Sequence, residues 1–286
     1  MKRIITVFSL ITITIIGLFL VNQVQLLAKP SDTMSTANHL YETGQYDQAA
    51  QAYQQLVDQG FTDNALFYNL GNAYFKSGDY GRAIVNYRRA QLLAPRDTDI
   101  TTNLALARSQ IVDQLEETGE SKQGFFSAIG HWSQHWLTLN EVALLALGAW
   151  ILSVFLLILF STTRKGSFGR ESLQYMMVGT VLALIIGITG LGSRLYVENS
   201  QPEAVVVAPE VNVASGPGAQ YVTEFTLHNG TEARLLETRG NWARLTLAGD
   251  ELQGWVPANA IETVYRDTEQ NYVSRAAEVY GRLADR

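Results

Sequence analysis

Three stretches of this chain contain no charged side chain, and they constrain its fold more than any other feature. They cover residues 4–28, 142–163 and 172–193. A helix of about 20 apolar residues is long enough to cross the hydrocarbon core of a bilayer, which is roughly 30 Å thick. The sequence therefore predicts membrane-spanning helices, with buried helices of a soluble protein as the alternative for the second and third stretches.

The first uncharged stretch allows two interpretations. It follows Lys2 and Arg3, and a basic start before an apolar run is typical of a secretory signal peptide. The alternative is an N-terminal membrane anchor that is retained. Either interpretation sends the residues that follow across the membrane.

The positive charges predict the orientation of the membrane segments. Arg164, Lys165 and Arg170 lie in the short stretch between the second and third segments, and Lys2 and Arg3 precede the first. Basic residues near membrane helices favour the cytoplasmic side. The segments before and after the pair, about 30–140 and 195–286, are then expected on the extracytoplasmic side of a bacterial cytoplasmic membrane.

The N-terminal half repeats itself at an interval of 34 residues. Aligned positions share small or aromatic residues: Ala37 with Gly71 and Ala105, Gly44 with Gly78, Tyr46 with Tyr80, Ala49 with Ala83, and Tyr53 with Tyr87. This interval is typical of the tetratricopeptide repeat, a helix–turn–helix unit. The stretch "FYNLGNAYFKSGDYGRAIVNYRRAQLLAP" resembles that family at nearly every diagnostic position.

The small residues of the repeat predict where two antiparallel helices touch. The expected contact positions are Gly71, Ala83 and Ala90. Gly78 suits the turn because it can adopt positive φ, and Pro95 is expected to end the second helix. A single capping helix is expected over residues 99–115, where it would cover the last repeat.

The resemblance to tetratricopeptide proteins also implies a peptide-binding groove. Its positions are held here by Asn38, Tyr41, Tyr68, Asn72, Phe75, Lys76 and Leu106. Asn side chains suit this role because each offers a donor and an acceptor; a purely structural role is the alternative. Family members that grip a C-terminal carboxylate use several basic groove residues, whereas this groove has only Lys76.

The C-terminal region reads as short strands with turns. Residues 203–265 contain "VNVASGPG", "NGT", "GNWARL" and "GWVPANAIE", in the order of a bacterial SH3-like barrel, which the region resembles. Such barrels bind extended peptides on a surface of aromatic side chains. Here that peptide-binding surface is predicted to consist of Tyr221, Trp242 and Trp255. The alternative for the two tryptophans is a packing role. Residues 268–286 have the spacing of an amphipathic helix.

Composition and motifs argue against several function classes. The chain has no Cys and a net charge of −6, which excludes disulfides and gives no basic face for nucleic acid. His131 and His135 are spaced i, i+4, but no carboxylate stands nearby to complete a zinc site. No catalytic motif is present. We therefore predict a protein that is not an enzyme and uses no cofactor and no metal.

The predicted fold is a multidomain membrane protein with an all-α repeat array, a two-helix membrane hairpin and a small all-β SH3-like barrel. The predicted segments are 1–28 (signal or anchor), 30–118 (repeats and capping helix), 119–141 (juxtamembrane linker), 142–163 (membrane helix), 164–171 (cytoplasmic loop), 172–193 (membrane helix), 203–265 (SH3-like domain) and 268–286 (C-terminal helix).

This layout resembles the tetratricopeptide proteins of the bacterial aerotolerance operon, the BatE family. The resemblance implies an envelope complex linked to stress tolerance, with von Willebrand A domain membrane proteins as partners. The functional hypothesis is a non-catalytic, membrane-held adaptor. The alternative is an anchor that binds peptidoglycan through the SH3-like domain.

Overall fold

The computed structural model describes residues 31–113, 137–163, 168–200, 202–247 and 252–265. The predicted signal or anchor, most of the juxtamembrane linker with His131 and His135, and the predicted C-terminal helix lie outside the described residues. The described chain forms two compact units. The first unit combines residues 31–73, 90–98 and 137–197; the second combines residues 74–89, 99–113 and 198–265.

The described residues before position 114 form helices joined by short connections, as the repeat predicts. The helices are α1 (Ser31–Glu42), α2 (Tyr46–Asp58), α3 (Asn64–Ser77), α4 (Tyr80–Leu93) and α5 (Thr98–Ser109). The small residues expected between paired helices are buried, with Ala83 and Ala90 both 0% exposed. The helical array is therefore confirmed.

The two repeat turns have the same backbone geometry. Gly44 and Gly78 both adopt the left-handed conformation, with φ of 78° and 86°. Gly44 N donates to Tyr41 O at 3.0 Å, and Gly78 N donates to Phe75 O at 3.2 Å. The 34-residue interval is thus reproduced in the hydrogen bonds that end α1 and α3.

The capping helix is shorter than predicted. We expected it to extend to Leu115, but α5 ends at Ser109. Beyond it the chain runs on without helical structure to Asp113, whose carboxylate accepts hydrogen bonds from His228 and Thr231 of the sheet. These tertiary contacts replace the helical turn that the sequence pattern favoured.

Two long apolar helices follow: α6 (Leu139–Thr162) and α7 (Phe168–Ser200). By length and composition both are able to cross a membrane. Inside the first unit they pack closely, because a Cβ built on Gly187 would lie 3.0 Å from Ala146 Cβ. Small residues permit such an approach between membrane helices. The orientation predicted for the pair stays a prediction.

The C-terminal region forms one antiparallel sheet of seven strands. They are β1 (Glu203–Val206), β2 (Glu210–Ala214), β3 (Thr223–His228), β4 (Glu232–Arg239), β5 (Trp242–Thr246), β6 (Gln253–Pro257) and β7 (Ile261–Thr263). Their order is β3-β2-β6-β5-β4-β1-β7. The hydrophobic core beneath the sheet includes Val206, Val213, Leu245 and Val256.

The sheet is open, which differs from the closed barrel expected of an SH3-like domain. Among the described residues, β3 pairs with β2 alone and β7 pairs with β1 alone. No ladder joins these two edge strands. The SH3-like barrel is therefore not confirmed.

Candidate functional site

The predicted groove residues lie on three helices. Tyr68, Asn72, Phe75 and Lys76 share α3, and their spacing of i, i+4, i+7 and i+8 places them along one side of that helix. Lys76 is exposed, whereas the other three are half-buried. Asn38 on α1 is exposed, Tyr41 at the end of the same helix is half-buried, and Leu106 on α5 is 46% exposed. Their role in binding stays a prediction.

Asn38 also has a structural role. Its Oδ1 accepts a hydrogen bond of 2.7 Å from the Tyr53 hydroxyl, which joins α1 to α2. Burial raises the pKa of Tyr53 to about 12, so the hydroxyl keeps its proton at ordinary pH.

Tyr41 and Phe75 contribute to the repeat turns. The Tyr41 ring packs edge-on against Tyr46 with centroids 5.4 Å apart, and Phe75 packs against Tyr80 at 5.6 Å. These pairs occupy equivalent positions of the 34-residue interval. Aromatic contacts of this kind fix the angle at which each second helix leaves its turn.

The three aromatic residues predicted on the sheet surface are in different environments. Tyr221 is 45% exposed, Trp242 is half-buried, and Trp255 is only 5% exposed. The guanidinium of Arg239 lies 5.3 Å from the centre of the Trp255 ring. Of the three, Tyr221 offers the largest fraction of its surface to a ligand, and the binding role of the group stays a prediction.

Inside the second unit, the helical segments form an interface with the sheet that the sequence did not predict. Arg88 of α4 pairs with both carboxylate oxygens of Glu203 on β1, at 2.5–3.0 Å. Burial alone would lower the pKa of Arg88, but the Glu203 carboxylate outweighs it and raises that pKa. Such two-pronged pairing fixes direction as well as distance.

Arg89, the next residue, covers one edge of the sheet. Its Nε donates to Val264 O at 3.1 Å, and its Nη2 donates to Thr263 O at 2.7 Å. Its Nη1 lies 2.8 Å from the Glu262 carboxylate. Arg89 is 6% exposed, so its own side chain is shielded from water, whereas the Glu262 side chain is 31% exposed. The edge strand β7 is thereby protected from pairing with another chain.

Asp113 bonds to the last residue of β3, the strand at the opposite edge of the sheet. Its carboxylate accepts hydrogen bonds from His228 N at 2.7 Å and from Thr231 Oγ1 at 2.6 Å. His228 Nδ1 lies 2.8 Å from the other carboxylate oxygen. The outward-facing N–H of the last β3 residue is therefore already occupied.

The first turn of α4 approaches the sheet more closely than any side chain would allow. Gly81 N donates to Asn229 Oδ1 at 2.6 Å, and Asn229 Nδ2 donates to Val207 O at 3.0 Å. A Cβ built on Gly81 would lie 2.5 Å from Val206 O. Glycine is needed at this position because a backbone carbonyl occupies the space.

A pocket of about 690 Å³ opens beside this interface within the second unit. Most of its polar lining is already paired: Asp79 with Arg82, and Asn229 with Gly81 and Val207. In the part of the chain that the structure describes, no group of three or more His, Cys, Asp or Glu residues could hold a metal ion.

One pair of the helices, α3 and α4, matches a known family. Residues 65–97 match the family model of the tetratricopeptide repeat. The chain contains a tetratricopeptide repeat. A comparison with curated proteins finds no match. The matched segment spans α3 and α4 and carries four of the predicted groove residues.

The tetratricopeptide repeat indicates a protein that interacts with other proteins, and its presence is consistent with a non-catalytic scaffold. Here the second helix of the repeat also serves the chain itself, because Gly81, Arg88 and Arg89 contact the sheet. The repeat pattern carried no sign of this second use. The nearest sequence signal is the pair of adjacent arginines, Arg88 and Arg89.

Acidification should weaken the contact between Asp113 and the sheet. Burial alone would raise the pKa of Asp113, but the hydrogen bonds from Thr231 and His228 outweigh it and lower that pKa below its usual 3.8. The stabilisation is therefore complete above about pH 3.8 and is lost as the pH falls through the lower folded value. The protection factor of the His228 amide, which corrects for the pH dependence of intrinsic exchange, should therefore be lower at pH 3 than at pH 6.

The matched control for the acid effect is Asp113→Asn. The variant should exchange faster than the parent at pH 6 and should lose the part of the pH dependence that belongs to this carboxylate. An Asp113→Asn variant with the same pH dependence as the parent would contradict the assignment.

Proposed function

We propose that this protein is a non-catalytic scaffold, held in a bacterial cytoplasmic membrane by α6 and α7, that presents its repeat and its sheet to partner proteins. The observation that carries the proposal is the matched tetratricopeptide repeat, whose second helix is joined to the sheet by Arg88, Arg89 and Gly81. Residues 74–89 of the repeat belong to the same compact unit as the sheet, so a partner of those residues and a partner of the sheet would meet there.

The groove is the proposed partner site on the repeat. Lys76 on α3 is exposed, and Asn72 lies one turn before it on the same side of the helix. An amide and an ammonium group are suited to the backbone and an acidic side chain of a bound peptide. The groove would then take an extracytoplasmic segment of the partner.

The resemblance to the BatE family supplies the proposed context. It implies an envelope complex for aerotolerance in which von Willebrand A domain membrane proteins are the partners. In this proposal the described parts of residues 30–140 and 195–286 lie on the extracytoplasmic side, and the sheet is a variant of the bacterial SH3-like fold.

A second candidate function, binding of peptidoglycan, has one observation in its favour. Tyr221 and Val222 are 45% and 74% exposed at the start of β3, beside the sheet edge. Adjacent exposed apolar side chains suggest a contact site. In this case the sheet would bind the cell wall and the repeats would be chiefly structural.

The test is in-cell crosslinking of the full chain, followed by affinity capture and mass spectrometry. Deleting the repeats or the sheet would disrupt the second unit, which contains residues of both. Point variants are therefore the better probes. Asn72→Ala combined with Lys76→Glu changes the groove, and Tyr221→Ala changes the sheet surface. Each variant is the control for the other, and circular dichroism should show an unchanged helical signal in both.

The scaffold proposal expects von Willebrand A membrane proteins to be captured by the parent and lost with the groove variant alone. Capture of cell-wall fragments that depends on Tyr221 would favour the peptidoglycan function. Equal capture of the same proteins by the parent and the groove variant would refute the groove.

A further inference from the structure

Three charged groups gather at one end of the two apolar helices in the first unit. Glu141 lies in the first turn of α6, where it forms a capping box with Thr138. Arg96 Nη2 lies 2.5 Å from Glu141 Oε1. Arg194, near the end of α7, donates to Leu137 O and is 5% exposed.

This cluster lies at the boundary between the charged end and the uncharged part of α6 and of α7. No charged residue follows Glu141 within α6, and none occurs in α7 between Glu171 and Arg194. Charged groups are costly inside a bilayer and are found where it meets water. If α6 and α7 span a membrane, as we propose above, the cluster marks the level of the lipid headgroups.

The Arg96–Glu141 pair brings the end of α4 to the same level. Arg96 lies three residues after Leu93, the last residue of α4. Leu93 is 43% exposed although it is apolar. The Arg96–Glu141 ion pair therefore joins residues 93–96 to the end of the helix pair. The apolar side chain of Leu93 remains exposed in this segment.

Other apolar side chains are exposed at this end. Leu139 at the start of α6 is 39% exposed, and Leu195 and Tyr196 next to Arg194 are 48% and 61% exposed. Tyr is enriched at membrane interfaces because its ring suits the acyl boundary and its hydroxyl suits the headgroups. Leu93 is thus one more exposed apolar side chain in a segment that an ion pair joins to this end of the helix pair.

We propose that residues 93–96 lie on the bilayer, with Leu93 inserted at the boundary between headgroups and acyl chains. The partner of this surface is a phospholipid bilayer. The end of the repeat is then held against the membrane by the Arg96–Glu141 pair, in addition to its covalent connection to α6. The inference rests on the proposed membrane anchoring.

The absence of cysteine from the sequence makes a direct test possible. Single cysteines would be introduced as Leu93→Cys, Phe155→Cys and Gln51→Cys in the full chain and labelled with a nitroxide. Phe155 is 54% exposed on α6 and reports the proposed membrane span, whereas Gln51 is exposed on α2 and serves as the water-facing control. The chain is reconstituted in phosphatidylcholine–phosphatidylglycerol vesicles, and label accessibility to oxygen and to an aqueous nickel chelate is measured.

We expect the label at position 93 to be several-fold less accessible to nickel than the label at position 51, and more accessible than the label at position 155. A lipid-exposed label at 155 with equal nickel accessibility at 93 and 51 would overturn this inference and leave the membrane proposal intact. A water-exposed label at 155 would overturn both.

A second variant tests the ion pair itself. Arg96→Ala should raise the nickel accessibility of the label at position 93 only a few-fold, because the Arg96 side chain is 58% exposed and exposed ion pairs hold weakly. An unchanged label at position 93 would overturn the role of Arg96 in holding this segment on the bilayer.

Discussion

Replacing Arg89 with Met should destabilise the second unit by about 1–3 kcal/mol, because the backbone carbonyl of the buried residue Val264 would lose its hydrogen bond from Arg89. Arg89 is 6% exposed and bonds to Val264 O, Thr263 O and the Glu262 carboxylate. Met retains much of the side-chain volume, so the loss is mainly that of the hydrogen bonds and the charge.

Hydrogen exchange of the sheet amides is the appropriate measurement, since a chain with two compact units does not give a single unfolding free energy. Val264 N donates to Glu203 O at 2.9 Å and reports the β1–β7 ladder directly. In Arg89→Met, we expect the Val264 amide and the β1 amides to exchange faster than in the parent. The increase in rate should correspond to the lost free energy of unfolding of the second unit.

The matched control is Arg239→Met. Arg239 also pairs with a carboxylate, that of Glu237 at 2.5 Å, but its side chain is 62% exposed. Exposed pairs of this kind contribute about 0–1 kcal/mol. If the two Met variants change the exchange of the sheet amides equally, Arg89 does not stabilise the β7 edge of the sheet.

Replacing Gly81 with Ala should destabilise the second unit by about 1–3 kcal/mol, the usual cost of forcing an extra group into a packed site. The new Cβ would lie 2.5 Å from Val206 O and 2.9 Å from Asn229 Nδ2. Because a backbone carbonyl cannot rotate away, α4 must move off the sheet and the Gly81–Asn229 hydrogen bond must lengthen.

The sign of this effect makes it a sharp test. Gly→Ala in an ordinary helix stabilises by about 0.5–1 kcal/mol, because Ala loses less conformational freedom on folding. Gly148 in α6 has no atom near its missing Cβ and is the control, so Gly148→Ala should be neutral or stabilising. Faster exchange of the Val206 and Gly230 amides in Gly81→Ala alone would support the close approach, whereas slower exchange would contradict it.

The features that sequence predicted well are those set by local chemistry. Gly44 and Gly78 appear in the left-handed turns because glycine is the residue that adopts positive φ without strain. The buried alanines and the apolar stretches followed from periodicity and composition in the same way. Among the candidate site residues, the repeat placed Asn72 and Lys76 on one side of a helix, as their spacing required.

The features that sequence could not show depend on contacts between distant residues. Asp113 was expected inside a capping helix, yet its carboxylate bonds to His228, which is 115 residues away. Trp255 was a candidate for the surface, but the sheet buries it. A helical pattern records which face of a helix is apolar, and it does not record which remote element covers that face.

The sequence by itself determined the helical repeats, their turns, the two long apolar helices and the strand-rich C-terminal region. Each of these follows from the period of apolar residues, from glycine φ preferences or from uninterrupted hydrophobicity. Only the tertiary structure decided that the sheet is open, that Arg89 of α4 bonds to the edge strand β7, and that Asp113 bonds to the last residue of the edge strand β3. The reason is physical: Arg89 and Asp113 satisfy backbone groups of strands more than 100 residues away along the chain, and such pairings leave no periodic trace in the sequence.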